Sequence, residues 1–227
     1  MKAMILAAGR GERMRPATDR VPKPLLPVAG KPLIVWLLER LVQNGFTEIV
    51  VNVSHLGAMI ENALGNGEEF GAHIAYSREA QALETAGGIA AALPLLGETP
   101  FLVVNGDLYT DFRFALLRER AGALSATTLI AHLVLVPNPS HHPHGDFSMD
   151  GGFISLRSET RLTFSGIGIY HPQLFGGIAR GARHQLVSLL REPMGARKVS
   201  GERYDGLWLD VGTPERLAEL ERRLAVR

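Results

Sequence analysis

The chain has 227 residues, 46% of them apolar, enough for one large domain or a domain with an appended lobe and too many for a disordered polymer. Basic and acidic residues balance to a net charge of +1 and are spread along the whole length, which argues against a nucleic-acid-binding surface. Cysteine is absent, which excludes disulfides and thiolate chemistry, and no apolar run approaches the roughly 18 residues of a membrane span.

Ala3–Leu6 reads as a first strand that ends in the two-glycine turn Gly9-Arg10-Gly11. With only Met1-Lys2 before it, no leader-like apolar region is visible, so a cytoplasmic protein is expected. Five prolines, from Pro16 to Pro32, then keep any helix from starting before about Pro32. Leu33, Ile34, Leu37, Leu38 and Leu41 form one helical face closed by Asn44-Gly45. Glu48–Val53 is a second strand, and Leu56, Met59, Ile60, Ala63 and Leu64 make the next helical face. Residues 73–76 read as a third strand, 86–93 as a helix with Thr85 as its cap, and Phe101–Asn105 as a buried central strand.

Asp111 is expected to cap a short helix running to Arg120. The character then shifts: 127–136 is a long β run, 148–149 and 153–156 flank Asp150-Gly151-Gly152 as a hairpin, and 162–170 and 207–211 are further strands. A last helix starts at Pro214, capped by Thr213, with Leu217, Leu220 and Leu224 facing inward. Alternating strands and helices through the first half predict an α/β fold with a Rossmann-like, mixed and mainly parallel sheet flanked by helices. The chain is expected to be a single domain over 1–227, with a nucleotide-binding half at 1–122 and a small β-rich sugar-binding lobe plus C-terminal helix at 123–227.

The chemistry gathers at the first loop. Gly9 and Gly11 let backbone N–H groups approach an anion, while Arg10, Arg13, Arg15 and Lys23 surround it with positive charge. A polyphosphate suits such a loop. The spacing fits neither a dinucleotide fingerprint, because Met14 stands where a third glycine is needed, nor a Walker loop, which needs Gly-Lys-Ser/Thr.

Two carboxylates stand where a metal could be held. Asp107 follows the apolar strand and Gly106, at a strand's carboxyl end where ligands of open α/β sheets bind, although a turn aspartate would also occur there. Asp210 lies within apolar Leu207-Trp208-Leu209 and Val211, where a charge requires a partner, a metal or backbone N–H groups. His141, His142 and His144 invite a zinc reading, but their spacing matches no structural site, and a solvated or substrate-rim loop is expected.

The pattern G-x-G-x-R-x-x-P followed by P-K-P-L-x-P-V-x-x-K-P resembles the signature of sugar-1-phosphate nucleotidyltransferases. The Asn105-Gly106-Asp107 and Trp208-Leu209-Asp210-Val211-Gly212-Thr213-Pro214 segments resemble the same family's metal-binding elements. Residues 76–88 resemble its base-binding segment, with Glu84 in place of the common glycine, a departure similar to the muramate-type branch. The resemblance implies a nucleotide-diphospho-sugar transferase fold and a magnesium-dependent uridylyl transfer from UTP to a sugar 1-phosphate, with N-acetylmuramic acid 1-phosphate as the foremost acceptor, in cell-wall sugar recycling. Guanylyl transfer to mannose 1-phosphate, thymidylyl transfer to glucose 1-phosphate, and a non-catalytic nucleotide-sensing subunit are the alternatives.

By the same resemblance, Ala8, Gly9, Gly11, Glu12, Arg13, Lys23, Gln81, Thr85 and Gly87 bind the nucleotide. Arg13, Lys23 and Asp107 are catalytic, Arg13 on the leaving pyrophosphate and Lys23 on the α-phosphate. Asp107 and Asp210 hold Mg2+, with Asp205 as the fallback second ligand. Asn105, Asp146, Ser165 and Gly166 face the sugar. The family's sugar-phosphate lysine is missing, and Arg157 or Arg161 is its possible substitute.

Overall fold

The computed structural model describes residues 1–156 and 160–225. After β1 (Ala3–Leu6) the proline-rich segment makes only 3-10 turns, at Glu12–Met14, Ala17–Asp19 and Lys23–Leu25, and the small hairpin of β2 (Pro27–Val28) and β3 (Lys31–Pro32). Helix α1 (Leu33–Gln43) begins directly after Pro32 and buries the expected face, and Gly45 at φ 81° turns the chain away. Then follow β4 (Glu48–Val53), α2 (Gly57–Leu64), β5 (His73–Arg78), α3 (Glu84–Leu96), β6 (Phe101–Asn105), β7 (Leu108–Thr110) and α4 (Leu117–Ala126). The second half holds β8 (Ala131–Val136), β9 (Ser148–Asp150), β10 (Phe153–Ser155), β11 (Thr163–Tyr170), α5 (Leu186–Gly195), β12 (Val199–Arg203), β13 (Trp208–Asp210) and α6 (Pro214–Ala225).

Among the described residues one nine-stranded sheet runs in the order β5-β4-β1-β6-β11-β8-β12-β10-β9. Its first four strands are parallel, and β11 enters antiparallel to β6, so the second half continues the sheet of the first. Burial on both faces follows from alternation along β1. Ala3 and Ile5 pack with α1, α2 and α4, while Met4 packs with α3 and α5 on the opposite side. A third cluster, Val28, Leu33, Val211 and Leu220, clamps α6 against the base of the proline-rich segment.

Several expected local features differ. In α2 the buried face is Gly57, Ile60 and Leu64; Met59 is 38% exposed, and Ala63 is exposed as well. Helix α3 starts at Glu84, with Leu83 and not Thr85 at its cap position, and continues through Pro94 to Leu96. Asp111 caps no helix, because its Oδ1 accepts hydrogen bonds from the Leu207 N–H at 2.9 Å and from the Tyr204 hydroxyl. A 3-10 turn at Phe114–Leu116 starts α4 instead, and α4 runs on to Ala126, which delays the next strand to Ala131.

Helix α5 and strand β12 were not expected. Leu186, Leu190 and Met194 have helical spacing, but Pro193 and Gly195 mask the signal. Strand β12 reads Val-Ser-Gly-Glu-Arg, a polar run made a strand by pairing with β8 on one side and β10 on the other.

Candidate active site

A cleft of about 580 Å³ opens at the carboxyl ends of β1 and β6. Leu6 to Arg13, Lys23, Pro24, Asn52, Glu79, Ala82 to Thr85, Asn105 to Asp107, Arg183 and Gly212 line it. Its floor is thus the switch region of the parallel strands, where strand-end backbone groups and side chains converge.

The glycine loop is built for close approach. Gly11 has φ +64°, and a Cβ there would lie 3.0 Å from both Thr18 Cγ2 and Lys23 Cβ, so the loop can pack on the proline-rich segment only without a side chain. Thr18 fixes it by donating to the Gly11 carbonyl at 2.8 Å, and the buried Met14 anchors the far end. Gly9 has nothing within 4 Å of where its Cβ would be, which leaves room beside Ala8 and Glu12 for a ligand. Arg10 and Arg13 also line the cleft. Arg15 does not: its guanidinium turns outward to Asp19 at 3.1 Å.

Asp107 and Asp210 come together through backbone pairing. Strand β13 runs antiparallel to β7 with Asp210 opposite Leu108, and the Val211 N–H donates to the Asp107 carbonyl at 2.8 Å. Gly106 allows Asp107 to sit against β1, since a Cβ there would lie 2.7 Å from the Leu6 carbonyl oxygen. Each carboxylate already has a cation. Lys23, 12% exposed, pairs with Asp107 Oδ2, and Arg216 from α6 pairs with Asp210 Oδ2.

Asp210 Oδ1 is buried and accepts no hydrogen bond among the described residues; the His141 Nε2 stands 3.0 Å away but outside hydrogen-bonding geometry. An orphaned carboxylate oxygen beside a second carboxylate fits a hard divalent cation. No group of three or more His, Asp or Glu gathers at metal-ligand spacing among the described residues, so phosphate and water would complete such a shell. Asp205, the fallback ligand, is instead exposed and paired with Arg203 at 2.7 Å.

Between β5 and α3 the structure reveals a residue that the sequence gave little reason to single out. Glu79 is 7% exposed, and its carboxylate accepts from Asn52 Nδ2 at 2.7 Å and from the Leu83 N–H at 2.9 Å. Asn52 Oδ1 in turn accepts from the Ala7 N–H at 2.8 Å. This chain of bonds ties the end of β1 to the segment expected to read the base. The only hint in the sequence was one carboxylate shortly after a strand, among polar neighbours.

Gln81 is exposed and does not line the cleft, whereas Thr85 does. Gly87 faces a strap at 182–184: its N–H donates to the His184 carbonyl at 3.2 Å, and a Cβ would strike the Ala182 carbonyl oxygen at 2.4 Å. Glu84 explains the glycine it replaces, since its φ is +61°, a conformation natural to glycine. Its side chain accepts from Arg183 at 3.0 Å on the cleft's lip.

The expected sugar-facing residues surround a bulge in β11. Between Phe164 and Ile167 the register with β8 shifts, placing Gly166 at φ +77° with its missing Cβ 2.5 Å from Asn105 Nδ2. The Ser165 hydroxyl donates to the Val134 carbonyl at 2.7 Å, and the Ser165 carbonyl accepts from Trp208 Nε1 at 2.9 Å. Its side chain therefore builds the bulge from behind. Asp146 accepts from the Phe164 N–H at 2.8 Å and stands 3.1 Å from His142 Nε2. Asn105 lines the cleft, while Asp146, Ser165 and Gly166 are not among its lining residues. Arg161 is exposed at the surface, and Arg157 lies outside the described residues.

Known proteins share both this architecture and this sequence. A putative glucose-1-phosphate thymidylyltransferase from Bacillus anthracis, solved with sucrose, superposes with a TM-score of 0.86 over 98% of this chain and 94% of that one, at 22% identity. The chain is 58% identical to the N-acetylmuramate alpha-1-phosphate uridylyltransferase of Neisseria meningitidis serogroup B, over 97% of each protein. It is 36% identical to the protein of that name from Caulobacter vibrioides, over 98% of this chain and 96% of the relative. The nucleotidyl transferase family model matches residues 2–226, and the chain belongs to that family: it is a nucleotidyltransferase with the nucleotide-diphospho-sugar transferase fold.

Proposed function

We propose that the enzyme transfers the uridylyl group of UTP to N-acetylmuramic acid 1-phosphate, giving the UDP-sugar and pyrophosphate. The observation that carries this reading is the 58% identity, over nearly the full length of both proteins, to a uridylyltransferase named for that reaction. Both substrates are anionic, so the protein has to offset charge and align phosphorus with nucleophile, and no covalent intermediate is needed. A phosphate oxygen of the sugar attacks the α-phosphorus of UTP in line, the bond to the bridging oxygen breaks, and pyrophosphate leaves with the electron pair.

The backbone of Ala8, Gly9 and Gly11, with Glu12 beside it, holds the triphosphate in this reading. Arg13 meets the leaving pyrophosphate, and Lys23 meets the α-phosphate. Asp107 and Asp210 would hold Mg2+, which supplies charge neutralisation and an oriented α-phosphate when bound. The first turn of α3 around Thr85 receives the uracil, with Gln81 at its rim. Gly87 acts from behind by letting the strap seat. Asn105, set against Gly166 and flanked by Asp146 and Ser165, orients the sugar. The setting is the cytoplasm, where nucleoside triphosphates reside, and cell-wall sugar recycling supplies the acceptor.

Pyrophosphate release from UTP, GTP, dTTP or ATP with N-acetylmuramic acid, mannose or glucose 1-phosphate tests the assignment. UTP with the muramic acid derivative should be preferred. Turnover confined to GTP with mannose 1-phosphate, or to dTTP with glucose 1-phosphate, would replace it, and pyrophosphate from no pair would point to a nucleotide sensor.

A further inference from the structure

Arg216 lies outside every motif discussed so far, yet it pairs with one of the two candidate metal carboxylates. It stands in the first turn of α6, a helix fixed by fully buried Leu220 and by Val28, Leu33 and Val211 around it. Its side chain is 14% exposed, and its guanidinium donates to Asp210 Oδ2 and lies 2.7 Å from His141 Nε2. Its other terminal nitrogen reaches over Gly212, within 2.4 Å of where a Cβ would stand, and Arg13 reaches the same point at 2.9 Å. Gly212 lines the cleft, so Arg216 touches the metal carboxylate on one side and the neighbourhood of the triphosphate arginine on the other.

The geometry points to Arg216 as an exchangeable counter-ion: it neutralises Asp210 in the free enzyme and moves onto the triphosphate when a divalent cation takes the carboxylate. This inference rests on Asp107 and Asp210 being the metal ligands. The charges pair off. Two carboxylates, Asp107 and Asp210, carry two cations, Lys23 and Arg216, each within ion-pair reach. Asp210 Oδ1 is the open donor, so a divalent ion there would stand close to the guanidinium on Oδ2, and like-charge repulsion drives that cation, as it drives Lys23, off its carboxylate. Each then becomes available to phosphate oxygens at the moment those arrive. Each cation offsets a partly buried carboxylate in the free site, and metal and nucleotide binding are coupled because each releases what the other needs. Gly212 keeps the path open, since any side chain there would collide with both arginines.

Manganese binding to the purified enzyme, measured by titration calorimetry, tests this without turnover. In the nucleotide-free protein Arg216→Met should bind Mn2+ about tenfold or more tightly, because a competing cation is gone. At saturating Mn2+ the same variant should bind UTP several-fold more weakly. A residue with a merely structural role would weaken both. Arg216→Lys, which keeps the charge, should hold Mn2+ affinity near the wild-type value. If Arg216→Met is less stable, Mn2+ should raise its melting temperature by more than it raises that of the wild type. Unchanged or weaker Mn2+ binding by Arg216→Met overturns the exchange, while loss of Mn2+ binding in Asp107→Asn and Asp210→Asn still upholds the metal site. Normal Mn2+ binding in both asparagine variants removes the metal site itself, and the exchange with it.

Discussion

Glu79→Gln tests the proposed nucleobase side more sharply than its size suggests. The Glu79 carboxylate faces two donors, Asn52 Nδ2 and the Leu83 N–H. An amide of the same shape has one acceptor end, so one of its N–H groups must confront another N–H. Asn52 cannot turn round to help, because its oxygen is held by the Ala7 N–H, which can only donate. The substitution therefore forfeits one charge-assisted hydrogen bond and strands a buried donor, a combined cost of about 2–4 kcal/mol. For a chain of this length that corresponds to a fall in melting temperature of roughly 5–12 °C. Thermal unfolding by circular dichroism reads the loss, and steady-state kinetics should show KM for UTP rising more than kcat falls, since the network positions the base segment. A melting temperature within about 2 °C of wild type would refute the bond accounting. Normal KM with reduced stability would leave the network structural but detach it from the nucleotide.

Asp107→Asn and Asp210→Asn should each lower metal-dependent turnover by about two orders of magnitude or more while retaining the native far-UV spectrum, and a near-normal rate in either excludes that residue from the metal site. Gly166→Ala places a side chain at φ +77° and against Asn105, so stability should drop by about 1–3 kcal/mol, and KM for the sugar phosphate should rise while that for UTP holds. An unchanged sugar KM would separate the bulge from the acceptor. The Glu202 carboxyl lies below its ordinary value of 4.5, first through His132, whose Nε2 is 3.8 Å away, and then through Arg120. A depressed carboxyl stabilises the fold above its unfolded value and loses that contribution as pH falls through its folded one. Urea titrations should therefore find Glu202→Gln less stable than wild type at pH 7, with the gap closing as the pH falls below 4.5; a gap that widens in acid contradicts the linkage.

Short-range chemistry carried most of the first half of the fold. The φ restriction of the prolines and their missing N–H groups act within a residue or two, so the absence of an α-helix before Leu33 could be read directly from the sequence. Apolar periodicity likewise reports on one element at a time, and β1, β4 and β6 lie where it put them. The glycine loop, Lys23 and Asp107 were legible for the same reason, being a turn, a lysine between two prolines and a strand-end neighbour.

Tertiary structure decided what depends on partners far along the chain. Strand β12 has no apolar signal of its own, and exists because β8 and β10 offer it open backbone. Gly87 looked like a ligand contact, but a strap nearly a hundred positions later takes the space its missing side chain leaves. Glu79 becomes a fixed element only when Asn52 and Ala7 are brought beside it. Arg216 was one of three arginines in a charged helix until the packing of Leu220 aimed it at Asp210. Sequence alone gathered the glycines and basic residues of the first loop into one candidate phosphate site. Which of them share a charge had to wait for the fold, because electrostatic pairing depends on distance in space and leaves no period along the chain.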